Sequence, residues 1–336
     1  MKYQRMGRTG IKVSELCLGT MTFGRTVSSV EATRMVDMSL DAGVNFFDTA
    51  NSYSNGESER QLGNAIQGKR NRAVIATKVF NPMGTGINDS GMSRYHIMSA
   101  LEESLRRLKT DHVDVYYIHH VDEQTELEEM LRAMDSLVQQ GKVLYIGCSN
   151  YEAWRLSESL GISERAGLSR FECYQPQYSL AVRDIELELL PLCNYKRLGV
   201  AVWAPLAGGF LTGKYSSSEK IKTGTRSEEE WAYPVQYFSS KVDLIISTLV
   251  DIAKRIDKKP AQVALRWIME RPGITSAIVG ARNVDQLLDN LDSTGWKLDS
   301  ELSKTLTEIS QPDPRYPQSM EKGMVARRAA AVKNNE

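Results

Sequence analysis

The sequence predicts an α/β fold in which eight parallel strands, each followed by a helix, close into one barrel. Short apolar runs alternate with longer amphipathic segments along the whole chain, and eight of the short runs have the length of strands. No long block contains strands alone or helices alone, which favours parallel pairing through right-handed crossovers. A length of 336 residues suits one (β/α)8 TIM barrel, which often reaches this size as a single domain.

The eight strand candidates are short and apolar, as strands buried on both faces are. They are Leu16–Gly19, Asn45–Ala50, Ala73–Val79, Val113–His119, Val143–Ser149, Phe171–Tyr178, Val200–Ala204 and Ser276–Gly280. Each is followed by a segment with helical periodicity, which supplies the crossover to the next strand. These segments are Glu31–Asp41, Glu57–Ile66, Arg94–Leu108, Leu127–Gln140, Glu152–Leu160, Ile185–Lys196, Lys241–Ile256 with Ala261–Arg271, and Val284–Leu291.

An open, doubly wound sheet is the alternative to a closed barrel. That fold would place the motif G-x-G-x-x-G at the first strand-to-helix turn, where Gly19–Gly24 reads G-T-M-T-F-G. We therefore predict that residues 1–310 form the barrel. Residues 311–336 form a C-terminal tail that lies outside the barrel or is partly disordered.

One connection, from Leu206 to Ser240 after the seventh strand, is much longer than an ordinary strand-to-helix loop. It contains several glycines together with Trp231 and Tyr233, and a simple linker would be less aromatic. We predict a functional loop over the mouth of the barrel.

The charge balance argues for a small, locally recognised ligand. Lys plus Arg and Asp plus Glu number 42 each, so no overall basic field attracts nucleic acid or an anionic membrane. Met1–Gly10 is polar, unlike a signal peptide, and no run of about 18 apolar residues occurs. We predict a cytoplasmic protein with a small-molecule substrate and no membrane or nucleic-acid partner. Whether it forms a homo-oligomer stays open.

The cysteines and histidines do not indicate a metal site. The four cysteines show no C-x-x-C spacing, and we expect them to be reduced and buried. His119 and His120 are adjacent, and neighbours on a strand point to opposite faces, so we expect that they cannot bind one metal together.

Four polar residues occur at or just beyond the C-terminal ends of predicted strands. Asp48, Lys78 and His119 each follow an apolar run, and Tyr53 lies on the loop after Asp48. The C-terminal ends of parallel barrel strands meet on one face, where polar residues serve catalysis more often than stability. We therefore expect all four side chains in one mouth.

Each of these residues also has a structural explanation when it is considered alone. Asp48 would cap a turn, Tyr53 would be an exposed loop aromatic, and His119 would be a hydrogen-bonded core residue. Lys78 is harder to explain, because burying an ammonium costs free energy unless a carboxylate compensates it, and Asp48 is the obvious carboxylate. A phenol beside such a pair loses its proton more readily, which indicates an acid for a carbonyl oxygen.

The segments around these residues resemble the aldo-keto reductases. They are Gly43–Tyr53, Ala76–Lys78, Ile118–His119 and Ile146–Asn150, and the resemblance continues in order through Leu291. It implies an NADP(H)-dependent barrel enzyme that reduces aldehydes or activated ketones by hydride transfer from nicotinamide C4. It also implies that Tyr53 is the general acid, that Asp48 and Lys78 tune it, and that His119 orients the carbonyl.

The resemblance further implies a set of cofactor contacts. In this set Ser149, Asn150 and Gln175 bind the carboxamide, and Trp203 stacks on the nicotinamide ring. The complete set is Gly19, Thr20, Met21, Asp48, Ser149, Asn150, Gln175, Trp203, Ala204, Pro205, Leu206, Gly208, Lys214, Gly280, Arg282, Gln286 and Asn290.

The segment Gly280–Asn290 resembles the part of the family that binds the adenosine phosphate. It combines a strand end, a guanidinium and a helix N-terminus, which together suit an anion, and Arg282 would meet the 2′-phosphate. The structural alternative is a charged amphipathic helix capped by Asn283. Lys214 and Arg226 in the long loop are further candidates for the pyrophosphate or the ribose.

Two departures place the chain in one branch of the family. Trp203 stands where the small monomeric reductases carry tyrosine, and the loop from Leu206 is longer than theirs. Both features resemble the branch of potassium-channel beta subunits and their bacterial and plant relatives. Those channel partners often lack the catalytic histidine, whereas His119 is present here, so we predict an active enzyme.

The alternative function is an NADPH-binding, redox-sensing regulatory subunit with little turnover. It would use the same cofactor residues as the enzyme. The sequence does not name the substrate, although Phe23, Phe80, Trp231 and Tyr233 are candidates for an apolar pocket that accepts aromatic groups.

Overall fold

The computed structural model describes residues 1–214 and 239–333. The strands are β1 (Tyr3–Arg5), β2 (Lys12–Ser14), β3 (Leu16–Gly19), β4 (Phe46–Asp48), β5 (Val74–Val79), β6 (Val113–Ile118), β7 (Val143–Ser149), β8 (Phe171–Gln175), β9 (Gly199–Val202) and β10 (Ser276–Val279). Strands β3 to β10 pair in parallel, and β10 hydrogen-bonds to both β9 and β3, so the barrel closes. The predicted (β/α)8 barrel is confirmed.

The helices pack around the outside of this barrel. They are α1 (Ser29–Asp41), α2 (Glu57–Ala65), α3 (Arg94–Leu108), α4 (Leu127–Gln139), α5 (Ala153–Ala166), α6 (Leu189–Lys196), α7 (Ser240–Arg255), α8 (Pro260–Met269), α9 (Val284–Leu291), α10 (Ser300–Ile309) and α11 (Gln318–Lys333). In α4, residues Met130, Met134 and Leu137 recur at intervals of three or four and are buried, which gives the helix one apolar face. Every helix among the described residues is too short or too polar to span a bilayer.

The interior of the barrel has its own apolar cluster, separate from the larger core between strands and helices. Phe46, Ala76, Val115 and Tyr117 belong to it, and Met6 beside the β1–β2 hairpin joins them. The hairpin therefore closes the N-terminal end of the barrel. The opposite end, where the strands finish, forms the mouth.

Several boundaries differ from the sequence-based prediction. Helix α5 continues past Leu160 to Ala166 and ends at Gly167, whose φ of 65° is the left-handed conformation that glycine adopts readily. The β1–β2 hairpin was not predicted, because strands of three residues are too short to show a periodicity. In the tail, Gln318–Lys333 forms α11, and its Met320 and Met324 side chains are exposed.

Candidate active site

Asp48 and Lys78 form a buried ion pair where β4 and β5 reach the mouth. Successive side chains on a strand alternate between faces, so Lys78 points into the barrel two residues after Ala76, while Thr77 points outward. Lys78 Nζ lies 2.5 Å from Asp48 Oδ1, and the Lys78 side chain is fully buried. The ammonium also donates to the carbonyl oxygen of Thr49 at 2.8 Å. The predicted compensation of Lys78 by Asp48 is therefore present.

The third contact of the Lys78 ammonium is the hydroxyl of Tyr53, at 3.2 Å. Tyr53 opens a 3-10 turn, Tyr53–Gly56, that follows β4 and leads into α2. Its ring centroid lies 4.8 Å from Lys78 Nζ and 5.9 Å from the His119 ring, which meets it edge to face. The phenol therefore lies between a fixed ammonium and an imidazole.

The electrostatics of the ion pair favour a charged lysine. Burial raises the pKa of Asp48, and the charge and hydrogen bond of Lys78, with the hydrogen bond from Gln175, oppose that rise. Burial alone would lower the pKa of Lys78, but Asp48 and then Tyr53 outweigh it, and the pKa of Lys78 is raised. Lys78 therefore keeps its positive charge next to the phenol at neutral pH.

His119 is held at the mouth by its neighbours. Its backbone N–H donates to the carbonyl oxygen of Val79 at 2.9 Å, and Asn150 Nδ2 donates to its carbonyl oxygen at 3.0 Å. Burial lowers the pKa of His119 well below its usual value, and the charges of Lys78 and His120 lower it further. Asn81 Nδ2 lies 3.4 Å from Nδ1 and is a donor, which favours the neutral tautomer with its proton on Nε2.

The expectation that His119 and His120 point to opposite faces is wrong. Their rings stack with centroids 4.5 Å apart and planes 15° apart. Strand β6 ends at Ile118, so both histidines lie beyond the strand and its alternation does not apply to them. Within residues 1–214 and 239–333, no three His, Cys, Asp or Glu side chains form a group that could hold a metal ion. All four cysteines are buried and unpaired, as predicted.

The residues assigned to the carboxamide gather beside Asp48. Gln175 Nε2 donates to Asp48 Oδ2 at 2.7 Å, and Ser149 Oγ donates to the carbonyl oxygen of Gln175 at 2.6 Å. Asn150 Oδ1 accepts a hydrogen bond from Trp203 Nε1 at 3.2 Å. Three strands, β7, β8 and β9, therefore deliver polar groups and one indole to the same mouth as Tyr53.

Comparison with known proteins decides the family. The model of the family described as "Aldo/keto reductase family" matches residues 15–311. The chain belongs to this family. It is therefore an oxidoreductase that acts on carbonyl groups, and the family generally uses NAD(P)H.

Three relatives of this aldo/keto reductase illustrate its branch. An "uncharacterized oxidoreductase" of Bacillus subtilis is 39% identical over 321 residues, covering 92% of this chain and 96% of the relative. A "probable voltage-gated potassium channel subunit beta" of rice, Oryza sativa subsp. japonica, is 37% identical over 298 residues, covering 87% of this chain and 90% of the relative. A norsolorinic acid reductase of Aspergillus flavus is 31% identical over 324 residues, covering 92% of this chain and 80% of the relative. The predicted branch is confirmed.

The first-strand loop of the reductase approaches the ion pair from the other side. The backbone N–H of Thr20 donates to the carbonyl oxygen of Asp48 at 2.9 Å, and Gly19 and Asp48 are register partners across β3 and β4. Gly19 has little room for a side chain, because an added Cβ would lie 2.9 Å from a methyl carbon of Ile278. Met21 is partly buried beside this loop. The first-strand loop therefore reaches the mouth beside Asp48, and its contact with a cofactor stays a prediction.

The segment after β9 winds through an unusual backbone conformation. Ala204 and Ala207 have φ of 51° and 48°, and Gly208 has φ of 66°. Left-handed non-glycine residues cost about 1–3 kcal/mol each and cluster at functional sites. Pro205 is buried, Leu206 is partly buried, and Lys214 is exposed at the end of the described segment. Arg226, Trp231 and Tyr233 lie outside the described residues.

The candidate adenosine segment follows β10. Gln286 Oε1 accepts the backbone N–H of Arg282 at 3.0 Å, and Asn290 Nδ2 donates to the carbonyl oxygen of Gly280 at 3.4 Å. Asn283 caps α9 by accepting the N–H of Gln286. The Arg282 side chain is partly buried beside the start of this helix. A guanidinium directly before a helix N-terminus suits a phosphate group.

Two mouth residues were not among the sequence-based candidates. Asn81 contacts both Ser52 and His119, and the His120 ring meets the Phe80 ring edge to face at 5.4 Å. Asn81 and His120 each lie two residues beyond the end of a strand, so the position of polar residues near strand ends was a signal for both.

Proposed function

We propose that this aldo/keto reductase uses NADPH to reduce aldehydes or activated ketones to alcohols, with Tyr53 as the general acid. The observation that carries the proposal is the distance of 3.2 Å between the Tyr53 hydroxyl and an ammonium that Asp48 holds in a buried position. A panel of aldehydes and ketones, assayed by the loss of reduced-nicotinamide absorbance, tests it.

The chemistry of Tyr53 follows from its neighbours. When the phenol donates its proton to the carbonyl oxygen, the phenolate that forms is stabilised by the adjacent Lys78 ammonium. Asp48 and the carbonyl oxygen of Thr49 accept the other hydrogen bonds of that ammonium, so its position is fixed before the reaction. Bound NADPH would supply the hydride for the carbonyl carbon. The alcohol thus gains its hydroxyl proton from Tyr53.

His119 would orient the carbonyl rather than protonate it. A neutral imidazole with its proton on Nε2 donates one hydrogen bond and leaves the acid role to the phenol. The His119 ring lies edge to face with Tyr53, so both groups would lie beside one carbonyl oxygen of a bound substrate. His120 and Phe80 extend this wall of the mouth and would contact the rest of the substrate.

The nicotinamide would be held by residues that are already oriented. Gln175 and Asn150 each have a hydrogen-bonded side chain, to Asp48 and to Trp203 respectively, which fixes their amide groups near the mouth. Preorganised groups of this kind lower the entropy cost of binding. The indole of Trp203 would stack on the ring, and Ser149 would complete the contacts to the carboxamide.

We expect Arg282→Ala to weaken NADPH binding about tenfold or more and to leave NADH binding almost unchanged. A hydrogen bond to a charged group contributes roughly 1.5 to 3 kcal/mol net, and only NADPH carries the 2′-phosphate. Dissociation constants for both cofactors can be measured by quenching of tryptophan fluorescence. Arg282→Lys is the matched control and should retain part of the preference. Equal losses for both cofactors would show that Arg282 does not read the phosphate.

We expect His119 to stay neutral at pH 6.5, where an exposed histidine is about half protonated. Its pKa is lowered by burial and by the Lys78 charge, so its protonation, and any loss of activity from it, should begin only well below that pH. Heteronuclear NMR titration of the histidine side chains measures this directly. A His119 midpoint at or above 6.5 would contradict the assigned electrostatics.

A second candidate function is an NADPH-binding regulatory subunit with little turnover. The name of the rice relative, a probable potassium channel subunit beta, favours it. The two candidates share the cofactor residues and differ in rate. Multiple turnovers with a reactive aldehyde would support the enzyme, and stable binding of NADPH without turnover would support the subunit.

A further inference from the structure

Helix α2 begins directly after the turn that presents Tyr53, and its second and third residues are buried polar groups. Glu59 and Ser58 are both fully buried. A carboxylate buried in this way must be paired, because desolvating it costs several kcal/mol. Its partners show which parts of the fold it joins.

The two oxygens of the Glu59 carboxylate bind different elements. Oε1 accepts the hydroxyl of Thr77 at 2.5 Å, and Oε2 accepts Arg107 Nε at 2.6 Å. Thr77 is the outward-facing neighbour of Lys78 on β5, and Arg107 lies in the last turn of α3. One carboxylate thus connects α2, β5 and α3.

Arg107 in turn supports the Tyr53 turn. Its side chain passes directly against Gly56, since a Cβ added to Gly56 would lie 2.7 Å from Arg107 Cδ. Ser54, Asn55 and Gly56 are all left-handed, with φ of 50°, 53° and 85°. Two non-glycine residues in this region are strained, so surrounding contacts must hold the turn in place.

Ser58 connects the same helix to the other strands of the mouth. Its hydroxyl donates to the carbonyl oxygen of Thr20 at 2.7 Å and lies 2.9 Å from the hydroxyl of Thr49. The carbonyl oxygen of Thr49 accepts a hydrogen bond from Lys78 Nζ. The first turn of α2 is therefore bonded to the ends of β3, β4 and β5.

From these contacts we infer that Glu59 is a positioning residue for the reaction: its carboxylate sets the distance between the Tyr53 hydroxyl and the Lys78 ammonium by tying the Tyr53 turn to β5 through Arg107 and Thr77. This inference rests on the proposed function, in which that distance determines how well Tyr53 acts as an acid. Displacing reacting groups by about 1 Å can cost about 10²-fold in rate.

The test compares Glu59→Gln with a matched control at the other end of the barrel. Glu15 and Arg266 form a second ion pair of the same kind, 2.8 Å apart, with both side chains buried. Glu15→Gln should cost a similar loss of Tm. We expect Glu59→Gln to lower kcat about 10-fold to 100-fold with KM and the NADPH dissociation constant little changed, and Glu15→Gln to leave kcat nearly unchanged.

Two readouts separate positioning from general destabilisation. In Glu59→Gln the alkaline limb of the kcat profile should move to higher pH, because a phenolate is less stabilised by a more distant ammonium. A crystal structure of the variant should show the Tyr53 and Lys78 atoms beyond hydrogen-bond distance, about 3.5 Å. Thr77→Val removes one hydrogen bond at nearly constant volume and should shift kcat and its pH profile in the same direction. This variant tests the inference if Glu59→Gln does not fold.

Tyr53→Phe is assayed in the same series so that the two proposals can fail separately. If Tyr53→Phe loses activity while Glu59→Gln and Thr77→Val retain wild-type kcat and pH profile, the inference about Glu59 is wrong and the proposed function stands. If Tyr53→Phe retains activity, the general-acid role of Tyr53 in the proposed function fails, and the inference about Glu59 fails with it. If Glu59→Gln and Glu15→Gln lose the same kcat at the same loss of Tm, the role of Glu59 is structural only, and the inference is wrong.

Discussion

Tyr53→Phe is expected to lower kcat for aldehyde reduction by about 10² to 10⁴-fold, the usual contribution of a positioned general acid. The variant lacks only the hydroxyl that lies 3.2 Å from Lys78 Nζ, and the ring can keep its edge-to-face contact with His119. NADPH affinity should change little, because cofactor binding is assigned to other residues. The measurement is steady-state turnover with NADPH saturating, together with the NADPH dissociation constant.

Tyr151→Phe is the matched control for this change. Tyr151 is a buried tyrosine, and its hydroxyl contacts only the sulfur of Met130 at 3.4 Å among the hydrogen bonds of the described residues. Removing that hydroxyl should leave kcat nearly unchanged. Near wild-type reduction by Tyr53→Phe would mean that another group donates the proton, with His119 the first candidate.

Lys78→Met is expected to lose both activity and stability. Without the ammonium the Tyr53 phenolate has no cation beside it, so kcat should fall by an amount comparable to that of Tyr53→Phe. The Asp48 carboxylate is left buried and unpaired, and breaking a buried pair in this way costs about 3–5 kcal/mol of unfolding free energy. Denaturant unfolding measures the stability, and turnover measures the activity.

The pH dependence of the unfolding free energy of Lys78→Met distinguishes an unpaired Asp48 charge from a packing defect. Burial already raises the pKa of Asp48, and removing Lys78 takes away the largest opposing influence. A carboxyl whose pKa is higher in the folded than in the unfolded state binds more protons when folded, so stability is lost as pH rises through the folded-state value. The loss of unfolding free energy in Lys78→Met, relative to the wild type, should therefore be smaller in mild acid than at alkaline pH.

A double variant, Asp48→Asn with Lys78→Met, completes the test of the ion pair. It removes the unpaired charge while Gln175 keeps a polar neighbour, so most of the stability should return. Activity should stay low, because Tyr53 still lacks its ammonium. Recovery of turnover in the double variant, or full stability of the single one, would contradict the assigned roles.

The parts of the site that lie on strands could be predicted from the sequence. Lys78 and Asp48 were expected to pair because both end apolar strands of a parallel barrel, and side chains on strands alternate between faces. The same rule failed for His119 and His120, because β6 ends one residue before them. Strand ends are set by tertiary contacts, and a single residue of error reverses the predicted direction of a side chain.

Loop geometry marks the limit of the sequence-based prediction. The left-handed backbone at Ala204 and Ala207 has no signal in the residue type, since alanine is not favoured there. Gln286 and Asn290, predicted as cofactor contacts from the resemblance, hold the backbone of their own segment in this structure. Their side chains therefore shape this segment whether or not they contact a cofactor. The cofactor contacts themselves stay part of the proposal.

The most direct measurement of the central proposal is turnover by the wild-type protein on a panel of aldehydes and ketones, with NADPH and NADH in parallel. With at least one reactive aldehyde, NADPH absorbance should decrease over many turnovers, and the alcohol should form in an amount equal to the NADPH consumed. At the same low cofactor concentration, NADH should support a slower rate than NADPH. Binding of NADPH without loss of absorbance across the whole panel would contradict the assignment of this mouth as a carbonyl-reducing site.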